Sequence, residues 1–176
     1  VEIRYTTGDA VHPDRPDDRP ILICHVVNNS GGWGNGFVVP LGQAYPLAEQ
    51  AYRAWHRGEP IISWATPIPE PFDLGETQFV LISKTVAVAN MCAQNGYKSA
   101  SNPVPLDYDM LQCCLEEAFC FAINNGANVA MPRIGAGRGG GDWARIEDHI
   151  LRAMEWAIGD SRKDLGQFKV TVYDLP

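Results

Sequence analysis

The sequence predicts a layered α/β domain. Strand-like segments recur along the chain, helical patterns separate several of them, and residues 21–27 are apolar almost throughout, as a sheet centre covered on both faces requires. With 176 residues, 45% apolar and 20% charged, the chain suits one ordinary domain and is short for two of typical size. Residues 1–176 are therefore expected to form a single unit.

Ile3 to Thr6 opens the order as a first strand. Pro13 and Pro16, set among Asp14, Arg15, Asp17, Asp18 and Arg19, mark an exposed turn before the second strand, Ile21 to Val27, whose apolar run only His25 interrupts. Pro46 suits the first turn of a helix reaching His56, where its missing N–H costs little, and Gly58 can end it. Leu47, Ala51 and Trp55 share one face of that helix. From Glu59 to Glu76 the chain holds Pro60, Pro67, Pro69 and Pro71, which excludes a continuous helix and predicts a long surface connection. Phe79 to Ile82 and Thr85 to Met91 flank Ser83-Lys84 as either a tight hairpin or one interrupted strand.

Helical spacing of Leu111, Leu115, Ala118 and Ala122 places a second helix over Asp107 to Asn125, with Gly126 as its C-terminal cap. Asn128 to Met131 is a short strand. Asp142 is a good N-cap for a third helix, whose stripe of Trp143, Ile146, Ile150, Ala153, Met154 and Ala157 ends before Gly159. Phe168 to Tyr173 alternates apolar and polar residues as a final strand with one buried face, near a sheet edge.

Charge and composition narrow the function classes. A net charge of −7 argues against a broad basic face for nucleic-acid backbone, although backbone N–H groups let an acidic protein hold a phosphate. No apolar run approaches the roughly 20 residues of a membrane span, and Val-Glu-Ile-Arg-Tyr at the start carries no export pattern, so a cytoplasmic protein is expected. Cys24, Cys92, Cys113, Cys114 and Cys120 lack zinc-site spacing and read as buried thiols. The scattered His12, His25, His56 and His149 read as structural or exposed. Neither a metal nor a cofactor is expected.

Nine of the 17 glycines fall in two loops, Gly31-Gly32-Trp33-Gly34-Asn35-Gly36 and Gly135-Ala136-Gly137-Arg138-Gly139-Gly140-Gly141. Glycine lets backbone approach a ligand closely at an entropic cost, so two dense loops near strand ends suggest a bound group, with two ordinary tight turns as the alternative. Gly135, Gly137 and Gly140 also satisfy G-x-G-x-x-G between a strand and a helix. A dinucleotide-binding unit needs more βα structure after that motif, and one strand is left. A P-loop lacks its Gly-Lys-Ser/Thr.

Gly8-Asp9-Ala10, His25-Val26-Val27-Asn28-Asn29, the first glycine loop and Met131-Pro132-Arg133-Ile134-Gly135-Ala136-Gly137 together resemble a macro domain, in order and spacing over nearly the whole chain. Gly-Gly-Trp-Gly-Asn-Gly-Phe and Met-Pro-Arg-Ile-Gly resemble the branch that contains the terminal ADP-ribose protein glycohydrolase and related bacterial proteins. The resemblance implies a three-layer α/β/α fold with a central mixed, mostly parallel sheet. It also implies a ligand, ADP-ribose, free or attached to a protein or nucleic acid.

By that resemblance Asp9 accepts from the adenine amino group, with the Ala10 backbone beside it. Gly31, Gly32, Trp33, Gly34, Asn35, Gly36 and Phe37 face the diphosphate and distal ribose, Phe37 either packing on the sugar or filling the core. Pro132 and Arg133 lead into Ile134, Gly135, Ala136, Gly137, Arg138 and Gly139, whose backbone donors hold the other side of the diphosphate with help from the following helix N-terminus. Arg138 either contacts phosphate or a modified partner, or is solvated. Trp143 either walls the site or packs in the core.

Members of the family read ADP-ribose marks or hydrolyse them. The lysine and aspartate of the resembling glycohydrolase fall here on Gln94, within Met91-Cys92-Ala93-Gln94, and on Gly139, within Arg138-Gly139-Gly140. A lysine-linked covalent route is therefore not expected at that position. Hydrolysis would rest on Asn28 or Asn29 orienting a water, with Asp142 as acid or base unless it only caps its helix.

Overall fold

The computed structural model describes residues 1–59, 71–161 and 168–176. Most of the proline-rich connection read between Glu59 and Glu76 lies outside the described residues. The described residues form six strands and four helices, in the order β1 (Arg4–Thr7), β2 (Ile21–Asn28), α1 (Val38–Ala44), α2 (Pro46–His56), β3 (Thr77–Leu81), β4 (Val86–Gln94), α3 (Tyr108–Asn124), β5 (Asn128–Met131), α4 (Trp143–Asp160) and β6 (Val170–Asp174).

The strands form one sheet in the order β1-β6-β5-β2-β4-β3. All neighbours run parallel except β3 and β4, which pair antiparallel through Val80↔Val88 and Phe79↔Ala89. The segments around Ser83-Lys84 thus form a hairpin. The Ser83 hydroxyl closes it by accepting from the N–H groups of Thr85 and Val86. β6 lies second from the edge, beside β1.

Two apolar clusters cover the two faces and make the three layers. Leu111, Leu115, Ala118 and Phe119 of α3 pack with Ile146, Ile150 and Ala153 of α4 on one face, against Leu22, Met91 and Val129. Ala48, Ala51, Tyr52 and Trp55 of α2 cover the other face, against Ile23, Val80, Val88 and Ala130. Central β2 contributes alternately to both, which is why its sequence is apolar at almost every position.

The caps follow local chemistry. Asp107 accepts from Met110 N at the start of α3, and Gly126, at φ +65°, lets Ala127 N return to Ala122 O at its end. Asp142 accepts from Ala144 N at the start of α4, which runs through Gly159 to Asp160, one residue beyond the glycine expected to stop it.

Helix α1 has no counterpart in the sequence reading. Val38, Val39, Pro40 and Gly42 are poor helix formers, but Pro40 sits in the first turn, where no N–H partner is required. Gly42 is needed because a Cβ there would lie 2.6 Å from Trp33 Nε1. All five cysteines are free, and Cys24, Cys92 and Cys114 are buried as expected, whereas Cys113 is exposed and Cys120 half-buried because each falls on an outer position of α3. Among the described residues no group of three or more His, Cys, Asp or Glu could hold a metal, and no helix is long and apolar enough to cross a membrane.

Candidate functional site

A cavity of about 700 Å³ opens at the C-terminal ends of β2, β4 and β5. From β2 the chain turns to β4 on one side, and returns through α3 to β5 on the other, and such reversals leave a crevice at strand carboxyl ends. Three segments wall it: Gly32 to Val38, Gln94 to Lys98, and Pro132 to Gly139. His25 to Asn28 form the floor.

Asn28 organises the first wall. A β-bulge between Val27 and Asn28 pairs Asn28 with Gln94 and skips Ala93. The Asn28 Oδ1 accepts from Ser30 N, Gly32 N and the Tyr52 hydroxyl, while its Nδ2 donates to Gly32 O. Both polar atoms of the amide are thus engaged in holding the glycine loop. Tyr52, buried on α2, also donates to Asn28 O and accepts from Gly31 N.

Asn29 serves the second wall and does not line the cavity. Its Nδ2 donates to Asn95 Oδ1 and its Oδ1 accepts from Gly96 N. That wall then leans on the first: a Cβ added at Gly32 would lie 2.1 Å from the Tyr97 hydroxyl. Glycine at position 32 is what lets Tyr97 pack there.

The third wall curls on itself. Gly141 N returns to Gly135 O at 2.8 Å, and Gly139 O accepts from Leu106 N. Gly135 and Gly140 take φ of +71° and +66°, open to glycine at little cost. Arg138 reaches across the cleft until its Cγ stands 3.5 Å from where a Gly36 Cβ would be. Among the described residues, the backbone N–H groups of Gly34, Asn35, Gly36, Gly137, Arg138 and Gly139 donate to no protein acceptor. All six residues line the cavity.

Charge at the cavity is one-signed. Lys98, Arg133 and Arg138 line it, and among the described residues no Asp or Glu does. Arg133 is held by a two-pronged ion pair to Asp174 and lies over the Tyr5 and Trp143 rings. That hydrogen-bonded pairing raises the guanidinium pKa and lowers that of the carboxyl. Lys98 and Arg138 form no ion pair among the described residues.

The expected site residues are brought together unevenly. Asn28, Gly32, Gly34, Asn35, Gly36, Phe37, Pro132, Arg133, Ile134, Gly135, Gly137, Arg138 and Gly139 line the cavity. Trp33 does not: it is 4% exposed and packs beneath the loop against His25 and Tyr52. Gly31 and Ala136 stand behind the lining. Asp9, half-buried past the end of β1, turns its Oδ1 onto Val11 N outside the lining, and Ala10 is buried in the second core cluster.

Asp142 and Trp143 lie away from the cavity. The Asp142 carboxylate caps α4, and Trp143 donates to the Tyr5 hydroxyl on the outer surface. The N-terminus of α4 therefore does not supply donors to the lining, which ends at Gly139. Phe37 lines the cavity and also packs on His25 and the second core cluster.

Sequence reasoning missed His25, Val26, Val27, Val38, Gln94, Tyr97 and Lys98 as lining residues. His25 is 2% exposed, and burial drives its pKa down to about 4 against the opposing hydrogen bond that it donates to Asn90 Oδ1. Its signal was visible: one polar residue in an otherwise apolar central strand. Tyr97 and Lys98 carried none, because only the β2–β4 pairing brings their loop beside the glycine segments.

Over whole chains, a macrodomain protein from Streptomyces coelicolor has 36% sequence identity and a TM-score of 0.76, the alignment covering 98% of this chain and 99% of that one. The chain belongs to the macrodomain family. Another macrodomain, that of Mycobacterium tuberculosis DarG, shares the fold at a TM-score of 0.69 with 21% identity, over 98% of this chain and 97% of its own. A protein of unknown function from Bacteroides thetaiotaomicron is similar at 37% identity and a TM-score of 0.81, covering 99% of this chain and 98% of that one.

Among curated proteins, an ADP-ribose 1''-phosphate phosphatase from Lodderomyces elongisporus is 29% identical over 52 residues. That match spans 30% of this macrodomain and 32% of the phosphatase. No protein-family model matches the chain.

Proposed function

We propose that this macrodomain binds ADP-ribose, free or attached to a protein or nucleic acid, with the diphosphate between its two glycine loops. The observation that carries the reading is the cavity between those loops. Among the described residues, backbone N–H groups without a partner stand on both sides, two cations without ion pairs line it, and no carboxylate does. Such donors and cations match a diphosphate, which supplies only acceptors and negative charge. The DarTG structure from Thermosipho africanus, described as a complex with ADP-ribose, shares the fold at 13% identity and is consistent with that ligand. Asp9 and the Ala10 backbone would receive adenine beyond the lining, and Phe37 the distal ribose.

Hydrolysis of an ADP-ribosyl bond is the second reading, favoured by the glycohydrolase-like motifs; the phosphatase named above, similar over 52 residues, acts by its name on a phosphate ester of the same ligand. In this site it would proceed without an ionised carboxylate at the cavity, since Asp142 caps α4 and Gly139 is backbone only. Asn28 would act through the loop it holds and Asn29 through the Tyr97 wall. Incubation with mono-ADP-ribosylated protein, following released ADP-ribose, separates the two readings. Retention of the modified protein without release identifies a reader, and release at catalytic protein concentrations identifies a hydrolase.

A further inference from the structure

Beneath the cavity runs a line of buried polar side chains that nothing in the cradle for the diphosphate explains. Gln78 on β3, Asn90 on β4 and His25 on β2 are 8%, 0% and 2% exposed. Their hydrogen bonds fix one another in order. Ala51 O is a backbone carbonyl and can only accept, so the Gln78 group 2.9 Å from it is the donating Nε2, and Gln78 Oε1 is left as an acceptor. Asn90 Nδ2 donates to that Oε1 at 3.0 Å and to Ala48 O at 3.2 Å. Asn90 Oδ1 then faces His25 Nε2 at 2.5 Å, so Nε2 carries the proton. His25 Nδ1 is consequently a bare acceptor, and it is a buried polar atom without a partner.

A buried acceptor left unpaired is costly, and a buried polar chain satisfied at every link except the one beside a cavity marks where a ligand group completes it. His25 lines the cavity floor with Phe37 beside it, and Trp33 meets its ring edge-on at 5.3 Å. Phe37 beside this acceptor suits a sugar, whose C–H face packs on that ring while a hydroxyl donates; Trp33 stays beneath, its own buried indole N–H also without a partner. The diphosphate of ADP-ribose, esterified at both ends and fully ionised at neutral pH, has no such proton to offer.

We infer that His25 reads the sugar end of the ligand, its Nδ1 accepting a hydrogen bond from a hydroxyl of the distal ribose. This rests on the ADP-ribose reading and names the residue that distinguishes ADP-ribose from ADP at the same diphosphate site. The chain through Asn90 and Gln78 holds the tautomer, and the ligand hydroxyl closes it.

The test is long-range ¹H–¹⁵N correlation on the imidazole nitrogens of the intact protein, recorded free, with ADP and with ADP-ribose, while the glycine-loop amides report occupancy. The expected result is a pyridine-like Nδ1 in the free protein that moves upfield with ADP-ribose and not with ADP, Nε2 staying in place. Glycine-loop shifts with ADP-ribose and an unmoved Nδ1 overturn the inference and leave the binding reading intact. An equal Nδ1 shift with ADP, or a free protein protonated at Nδ1, also overturns it. Unmoved loop amides with ADP-ribose overturn the binding reading and this inference together.

Discussion

Asn28 and Asn29 are adjacent in sequence and face different walls, Asn28 bonding the first glycine loop and Asn29 the loop after β4. Replacing Asn28 by Ala strips Gly32 N, Gly32 O and Ser30 N of their partner. Stability should fall by about 1–3 kcal/mol in urea titration, and ADP-ribose affinity by about tenfold. A variant of unchanged stability and affinity would show that the loop holds itself. His25 sets a pH dependence. Its folded pKa lies near 4, below the ordinary 6.5, so between those values the unfolded chain binds the extra proton. Stability is therefore full above about pH 6.5 and declines toward pH 4, by about 3 kcal/mol in all. Urea titrations across that range should show the decline, reduced in His25→Gln; the same slope in both proteins would contradict the burial argument. These residues were partly legible. An Asn pair after a central strand pointed to the site, but which wall each serves depends on a bulge that only strand pairing creates.

At the scale of elements, the strands and the three long helices were readable because their periodicities and caps are local. α2 and β5 have the bounds their residues suggested. α1 was not readable, since its proline, glycine and valines argue against a helix until tertiary packing on Trp33 and the position of Pro40 are known. The glycine loops were visible as composition, whereas the reason for each glycine is spatial. A Cβ at Gly139 would stand 2.6 Å from the carbonyl oxygen of Gly135, backbone against backbone, while one at Gly32 meets the end of the exposed Tyr97 side chain. Gly139→Ala should therefore lower Tm and distort the loop, at a cost of about 1–3 kcal/mol. Gly32→Ala should leave Tm nearly unchanged, with stability within about 0.5 kcal/mol of the parent, while Tyr97 swings away and binding weakens. Equal losses of Tm in both variants would refute this division.

Across the whole molecule, the acidic surface and the cationic cavity are separate facts with one reading. A chain of net charge −7 keeps Lys98, Arg133 and Arg138, and among its described residues no acid, where its sheet opens. The fold class was legible from the order of elements, and the cavity's position follows once the strand order places β2 between β4 and β5. The second wall was not legible, because Tyr97 and Lys98 are ordinary loop residues until the sheet closes. A ligand that fills this cleft binds the folded state alone, so saturating ADP-ribose at about 100 times its Kd should add about 2.7 kcal/mol of stability. Calorimetric titration with ADP-ribose at moderate salt tests the central claim most directly. The account predicts a saturable one-to-one isotherm, weaker with ADP and weakened further by Lys98→Ala with Arg138→Ala. The absence of heat, and of any rise in Tm, up to about 1 mM ligand would contradict it.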